Sequence, residues 1–429
     1  MICSTWAFDK QWVITMDVKV YDRFPNCLVF GEGAVNEIGE HIRKFGEITK
    51  IAVITDQGLK ALPIVTDLID LLCEQGFEAL LYGDVRSLPT DTNVIDAVEK
   101  MKGFGAQAIV AIGGGSAMDC ARAANALYSY GGTLYEHSIS CQKYSYSKAA
   151  LKPFIAIATT SGTGAEVAAG CGIIKTDPAT GDAAGFYIIS AKPLIPDVSI
   201  IDPLMSISLS PELTAATGMD ALTHAYESMV SPACFPLSAG LSLEAIRLIF
   251  LNLRAAVAAG GDLTAREGMA IAATTATVSF QLGGLGLVHA LSEGLSAFAL
   301  IPHGIANAIL LPPVMAFNAP CSQDKLARIA AAMGINTFEL DTEQVASIAI
   351  DEVQALMRHI NIPVSFAEYL TGRERELPGM FHPIRREVVE KAANLAMETS
   401  FIRNNPRSVS KVDVNAILEQ QFAGYNFMV

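Results

Sequence analysis

Three histidines and one aspartate stand at spacings that a metal ion can use. Asp220 and His224 lie four residues apart in TGMDALTHAYE, His289 lies in GLGLVHALSEG, and His303 follows in IPHGIANA. On a helix, residues i and i+4 share a face, so Asp220 and His224 point the same way. Imidazole nitrogens with one carboxylate suit a divalent zinc or iron ion and leave room for a substrate oxygen. Any one of these histidines alone reads first as a hydrogen-bonded core residue, but the set of three is harder to dismiss. The chain has only seven histidines, and the other four (His41, His137, His359, His382) sit in charged or irregular surroundings.

These side chains need elements to hold them. KIAVIT (50–55), AIVAI (108–112) and FIAIA (154–158) are short apolar runs separated by helix-like segments. Strands of that kind, buried on both faces, build a parallel sheet with helical crossovers. After about residue 207 the pattern turns to helical periodicity. SPEL (210–213) reads as an N-cap Ser210 followed by proline at the first helical position, opening the helix that carries Asp220 and His224. Ala/Leu-rich segments follow at 236–259, 263–281, 285–299 and 304–317, with amphipathic stretches at 344–358 and 385–399. Residues 131–152 read as a polar, Tyr-rich loop. The expected fold class is α/β plus all-α: a Rossmann-like parallel-sheet domain over 1–207, then a helical domain over 208–429 that supplies every metal ligand.

The first domain carries its own chemistry. Gly113, Gly114, Gly115 and Ser116 sit between an apolar strand and a helix. Glycines let backbone N–H groups approach a phosphate, and the helix N-terminus adds positive potential. A tight strand-to-helix turn is the plain alternative. Thr159, Thr160 and Thr163 form a second loop after the FIAIA strand. Asp56, at the end of KIAVIT, is placed either to accept hydrogen bonds from ribose hydroxyls, repelling a 2′-phosphate, or simply to cap the next helix. The acidic residue precedes the glycine loop and there is no GxGxxG, so an ordinary Rossmann dinucleotide domain is a poor match.

Composition narrows the class. A chain of 429 residues, 51% hydrophobic and 17% charged, buries a large core and divides into two domains. A formal net charge of −14 argues against nucleic acid or an anionic membrane as partner. MICSTWAFDKQW lacks a leader pattern, and LIFLNLRAAVAA, the best apolar stretch, is interrupted by Arg254 and is too short to span a bilayer. The eight cysteines are scattered without framework spacing, which fits reduced thiols in a cytoplasmic protein.

Taken together, GGGSAMDCAR, TTSGTGAEV, ATGMDALTHAYES, GLGLVHALSE, PHGIANAILLP and the late NNPR resemble the iron-dependent (group III, metal-containing) alcohol dehydrogenase family, in the family's order and from about residue 24 onward. The resemblance implies an N-terminal dinucleotide-binding domain, a helical metal domain and an active site in the cleft between them. It assigns Asp220, His224, His289 and His303 to one Fe2+ or Zn2+ ion. It assigns Gly114, Gly115, Ser116, Asp119, Thr159, Thr160 and Thr163 to NAD(H), with Asp56 favouring NAD over NADP. It further implies a homodimer or higher homo-oligomer, and hydride transfer between the cofactor and a short-chain alcohol or aldehyde.

Several positions depart from the family pattern. Glu293 stands where a proton-moving histidine is common, one turn after His289. It reads as a relay if burial raises its pKa, as a partner orienting a ligand histidine, or as a solvated glutamate. Arg122 replaces the usual lysine, Ala117 the usual proline, and Leu88 a common asparagine. Arg403, just before the Asn-Pro-Arg run, reads as a surface arginine capping a helix turn or as a holder of an anionic substrate tail. The alternatives carried forward are a reductase of a short anionic aldehyde such as sulfoacetaldehyde, and a lyase of the dehydroquinate synthase type.

Overall fold

Alternate residues of the central strands go to opposite cores, which is why those strands are apolar throughout. The computed structural model describes residues 23–376 and 384–428; Cys3, His382 and the MICSTWAFDKQW segment lie outside the described residues. In chain order the first half holds β1 (Leu28–Phe30), α1 (Ile38–Arg43), β2 (Lys50–Asp56), α2 (Pro63–Glu74), β3 (Glu78–Val85), α3 (Asp91–Phe104), β4 (Ala108–Gly113), α4 (Gly115–Tyr130), α5 (Leu134–His137), β5 (Phe154–Ala158), β6 (Gly170–Thr176), β7 (Ala183–Ser190) and β8 (Val198–Ile201). Six strands form a parallel sheet in the order β1-β8-β5-β4-β2-β3. Ile51, Val53, Val110, Ile112, Ile155 and Ile157 face α1 and α2. Ala52, Ile54, Ile109, Ala111 and Ala156 face α3 and α4. Helices on both faces leave no solvated side, so the polar/apolar alternation of a one-faced sheet is absent.

β6 and β7 form an antiparallel hairpin that sequence inspection passed over. Its turn is nonetheless signalled by Asp177, whose carboxylate caps the Ala179 N–H, and by Gly181 at φ 76°. The 131–152 stretch is not a featureless loop. It contains α5, and His137 is buried there between Tyr146 and the Gly131 carbonyl. His41 is buried too, so burial alone does not separate the metal-site histidines from the rest.

The second half is helical: α6 (Pro211–Val230), α7 (Pro236–Ala258), α8 (Leu263–Gly283), α9 (Leu287–Ala299), α10 (His303–Asn318), α11 (Gln323–Ala332), α12 (Thr342–His359), α13 (Phe366–Glu376), α14 (Arg386–Glu398) and α15 (Lys411–Gln421). Ser210 caps α6 as its type requires, accepting from the Leu213 N–H. These helices share one apolar core, in which α6 is the central member: almost every residue from Ala215 to Val230 is buried. By length and composition, His303–Cys321 is apolar enough to cross a membrane, which corrects the expectation that no such stretch exists. Here it is a core helix, with Leu310, Leu311, Val314 and Met315 fully buried. The described cysteines are all free thiols.

Candidate active site

Four helical positions converge on one point. Asp220 and His224 sit one turn apart on α6, His289 lies in the first turn of α9, and His303 is the first residue of α10. α8 and α9 meet at a bend of 110°, which aims the start of α9 at α6. Gly284 makes that corner possible: it has φ 90°, and a Cβ there would stand 2.5 Å from Asn404 Nδ2.

Asp220 Oδ1 lies 3.7 Å from His224 Nε2, 3.7 Å from His289 Nε2 and 3.8 Å from His303 Nε2. Donor atoms bonded at about 2.1 Å to one tetrahedral ion stand roughly 3.4 Å apart, so each of these three distances from Asp220 Oδ1 is close to a cage edge. Three of its members, Asp220, His224 and His289, bring donor atoms within 4.8 Å of one another. Three imidazole nitrogens and one carboxylate oxygen fit a divalent ion of the zinc or iron type. His224 stacks on His289 at 4.7 Å between centroids and touches Phe280 at 4.7 Å. Asp220, His224 and His289 are buried, whereas the His303 side chain keeps 31% exposure.

Electrostatics prepare most of the set for a cation. Burial disfavours the Asp220 carboxylate, but His224, His303 and His289 outweigh it and hold the group well below the usual range. Burial takes His224 down to about 3 and lowers His303 as well, so both are neutral donors near neutral pH. His289 differs. Burial opposes its charge, yet Glu227 and Asp220 together carry it up to about 10, so an ion must displace a proton there.

Sequence inspection missed the supporting residues. Glu227 Oε2 lies 2.7 Å from His289 Nδ1, and its Oε1 accepts the Val288 N–H at 2.6 Å. Asn307, one turn after His303, donates from Nδ2 to Asp220 Oδ1 at 2.6 Å and lies 3.1 Å from His303 Nε2. Both were discoverable, since Glu227 is three residues after His224 and Asn307 four after His303, each on the ligand face of its helix.

The glycine and threonine loops face each other. Gly114 caps α4, and a Cβ on Gly114 would stand 3.1 Å from Thr160 Cγ2; one on Gly115 would stand 3.1 Å from Thr163 Cγ2. Only glycine permits that approach without pushing the threonines back. The Thr159 N–H donates to the Gly113 carbonyl at 3.0 Å, and the Ser116 hydroxyl donates to the Ser87 carbonyl. Asp56 Oδ1 accepts from the Gly58 and Leu59 N–H groups, the capping role, while Oδ2 is turned toward Gly113. Burial raises the Asp56 pKa.

Asp119 uses both oxygens within the protein. Oδ1 pairs with Arg122 Nη1 at 3.0 Å, and Oδ2 accepts the Gly172 N–H at 3.0 Å, tying α4 to the hairpin. Burial raises it to about 6 against the pull of Arg122. Arg122 is fully buried and also donates to the carbonyls of Ala165, Gly170 and Leu194. The threonine loop is docked in turn on α8: Thr277 Oγ1 donates to the Thr163 carbonyl, and Gln281 bonds Val167 and Ala169.

Glu293 lies one turn beyond His289 and is half-buried. Burial pushes it up to about 7, with His289 opposing this and the Asp119 carboxylate adding to it. Arg403 is the fourth residue of the short 3-10 turn Ser400–Asn404 and is exposed, while Phe401 of the same turn reaches His289 at 6.5 Å between centroids.

A parallel α/β sheet with a phosphate-type loop, beside a helical His3Asp cage, defines a metal-dependent dehydrogenase. The chain belongs to the iron-containing alcohol dehydrogenase family. Its residues 25–203 match the model described as iron-containing alcohol dehydrogenase, and residues 214–422 match the C-terminal model of the Fe-containing family. It is 35% identical over 410 residues to the 1,3-propanediol dehydrogenase of Citrobacter freundii, covering 95% of this chain and all of that one. It is 32% identical over 395 residues to the NAD-dependent methanol dehydrogenase of Bacillus methanolicus, covering 92% and 98%. The solved structure of an alcohol dehydrogenase from Oenococcus oeni superposes with a TM-score of 0.85 at 29% identity, covering 94% of this chain and all of that one. The protein is therefore a metal-dependent, NAD(H)-linked alcohol dehydrogenase/aldehyde reductase acting on a small alcohol or aldehyde. The anionic-aldehyde and lyase alternatives are not favoured.

Proposed function

We propose that the chain interconverts a short, uncharged alcohol and its aldehyde, with Fe2+ or Zn2+ held by Asp220, His224, His289 and His303. The observation that carries this is the convergence of three Nε2 atoms on Asp220 Oδ1 at 3.7–3.8 Å. A divalent ion in that cage supplies a Lewis acid for the substrate oxygen. NAD(H) supplies or accepts the hydride.

The chain's own residues do the rest. The α4 N-terminus, with Gly114, Gly115 and Ser116, cradles the pyrophosphate, and Thr159, Thr160 and Thr163 close the opposite side. Asp56 would meet the ribose hydroxyls of a bound NAD(H) and repel a 2′-phosphate, while its Oδ1 holds the cap. Asp119 and Arg122 position both loops rather than touching the cofactor. Phe280 and Phe401 keep the buried side of the cage dry. Glu293 moves the proton, taking it during alcohol oxidation and returning it during aldehyde reduction. Arg403 is the surface residue of its turn.

The names of the two relatives, propanediol and methanol dehydrogenase, are those of uncharged alcohols, which supports the substrate class. The chain divides near residue 207, a boundary supported by separate cores on either side. A cytoplasmic location and a homodimer or higher oligomer belong to the same proposal, the latter supported by exposed Phe24, Leu28 and Phe30 at edge strand β1. Following NADH absorbance with propanal and 1,3-propanediol, after loading with Fe2+ or Zn2+, tests the activity. Equal rates before and after chelation would overturn the metal-dependent reading.

A further inference from the structure

We propose that Glu227 is the positioning residue that sets the tautomer of His289 and seats the helix carrying it. A neutral imidazole has one proton for two nitrogens, and only the bare nitrogen can bind an ion. A carboxylate is an acceptor only, so a hydrogen bond of 2.7 Å between Glu227 Oε2 and His289 Nδ1 places the proton on Nδ1. Nε2, the atom that faces Asp220 Oδ1, is then left as the donor. The other oxygen of the same carboxylate accepts the Val288 N–H at 2.6 Å. Val288 is the second residue of α9, and its N–H is one of the helix-start donors with no partner inside the helix.

One side chain thus fixes both the ring and the helix end that bears it. A residue serving only as a helix cap needs one acceptor oxygen, whereas Glu227 uses both. Glu227 is 2% exposed, and its only ion-pair partner among the described residues is His289. Gly286 leaves the space: a Cβ there would stand 3.1 Å from Oε1. α6 therefore presents two ligands directly, Asp220 and His224, and aligns a third through Glu227. Glutamine keeps one acceptor oxygen, so it can accept from the Val288 N–H or from a His289 Nδ1–H but not from both, and its amide placed against Nδ1 would shift the ring proton to Nε2.

This inference rests on His289 being a ligand, and the experiment separates the two. Zn2+ affinity is measured by chelator competition for the wild type, His289→Ala, Glu227→Gln and Glu227→Asp. In parallel, the Zn2+-loaded wild type, labelled at its histidine nitrogens, is read for which ring nitrogen carries hydrogen. Expected are a loss of about 10–100-fold in affinity for Glu227→Gln, partial recovery for Glu227→Asp, and a protonated Nδ1 with an ion-bound Nε2 on His289. Wild-type affinity in His289→Ala overturns the ligand reading and this proposal with it. Reduced affinity in His289→Ala with wild-type affinity in Glu227→Gln overturns this proposal alone. If Glu227→Gln does not fold, the wild-type spectrum decides, because an ion-bound Nδ1 on His289 excludes the role.

Discussion

Asp220 Oδ1 and His303 Nε2 stand 3.8 Å apart, the widest of the three contacts around that carboxylate and the one at its open edge. His303 keeps 31% of its side-chain exposure and heads its own helix, so its removal leaves the core packing intact. In His303→Ala, Zn2+ or Fe2+ affinity is expected to fall at least about 100-fold and NADH-linked turnover to disappear. Urea unfolding of the metal-free protein should change by less than about 1 kcal/mol. Full turnover at equal metal content would remove His303 from the ligand set.

Glu293 predicts opposite pH limbs for the two directions. With burial raising it to about 7, its base form dominates above that pH and its acid form below. kcat/KM for alcohol oxidation should therefore rise with pH through about 7, and kcat/KM for aldehyde reduction should fall over the same range. Glu293→Gln flattens both limbs and slows turnover by about 10²-fold. The stability sign follows from the same shift. A folded pKa above the unfolded value of 4.5 means the contribution is complete below 4.5 and is lost as pH rises through about 7. Glu293→Gln should then gain stability over the wild type only on the alkaline side, a comparison that thermal scans across pH make directly.

Asp56 combines two functions that one substitution separates. Asp56→Asn keeps an oxygen to cap Gly58 and Leu59 but removes the charge. It is expected to raise kcat/KM for NADPH about 10-fold or more with little loss of stability. Asp56→Ala also loses the cap, at a cost of about 1 kcal/mol. An unchanged NADPH/NADH ratio in Asp56→Asn would show that the carboxylate does not meet the ribose.

Arg122 is a structural clamp with a functional consequence. Arg122→Met removes the guanidinium donor from the carbonyls of Ala165, Gly170 and Leu194 and from Asp119 Oδ1. Breaking a buried pair of this kind should cost about 3–5 kcal/mol in denaturant unfolding. The threonine loop loses its anchor as well, so KM for NADH should rise more than kcat falls. A variant with wild-type stability would contradict the clamp.

The candidate Asp220, His224, His289 and His303 set, the glycine and threonine loops, and the order of the main strands and helices were legible in the chain itself. They depend on local rules: apolar runs for buried strands, Ser210-Pro211 for a helix start, and i, i+4 spacing for Asp220 with His224. The hairpin β6–β7 and the apolar α10 were misjudged because their environment, not their composition, decides what they are. Nothing in the spacing of Glu227 and His289 states that they meet at 2.7 Å. That contact needs the 110° corner between α8 and α9, which depends on Gly284 and on packing across α6. Nor does sequence alone say that Asp119 bonds Arg122 and Gly172, or that burial raises Glu293. Local sequence determined the residue types and the elements that carry them. Tertiary structure decided which ring nitrogen of His289 faces Asp220, which carboxylate burial raises and which one is bonded at both oxygens, because burial and long-range packing set those states.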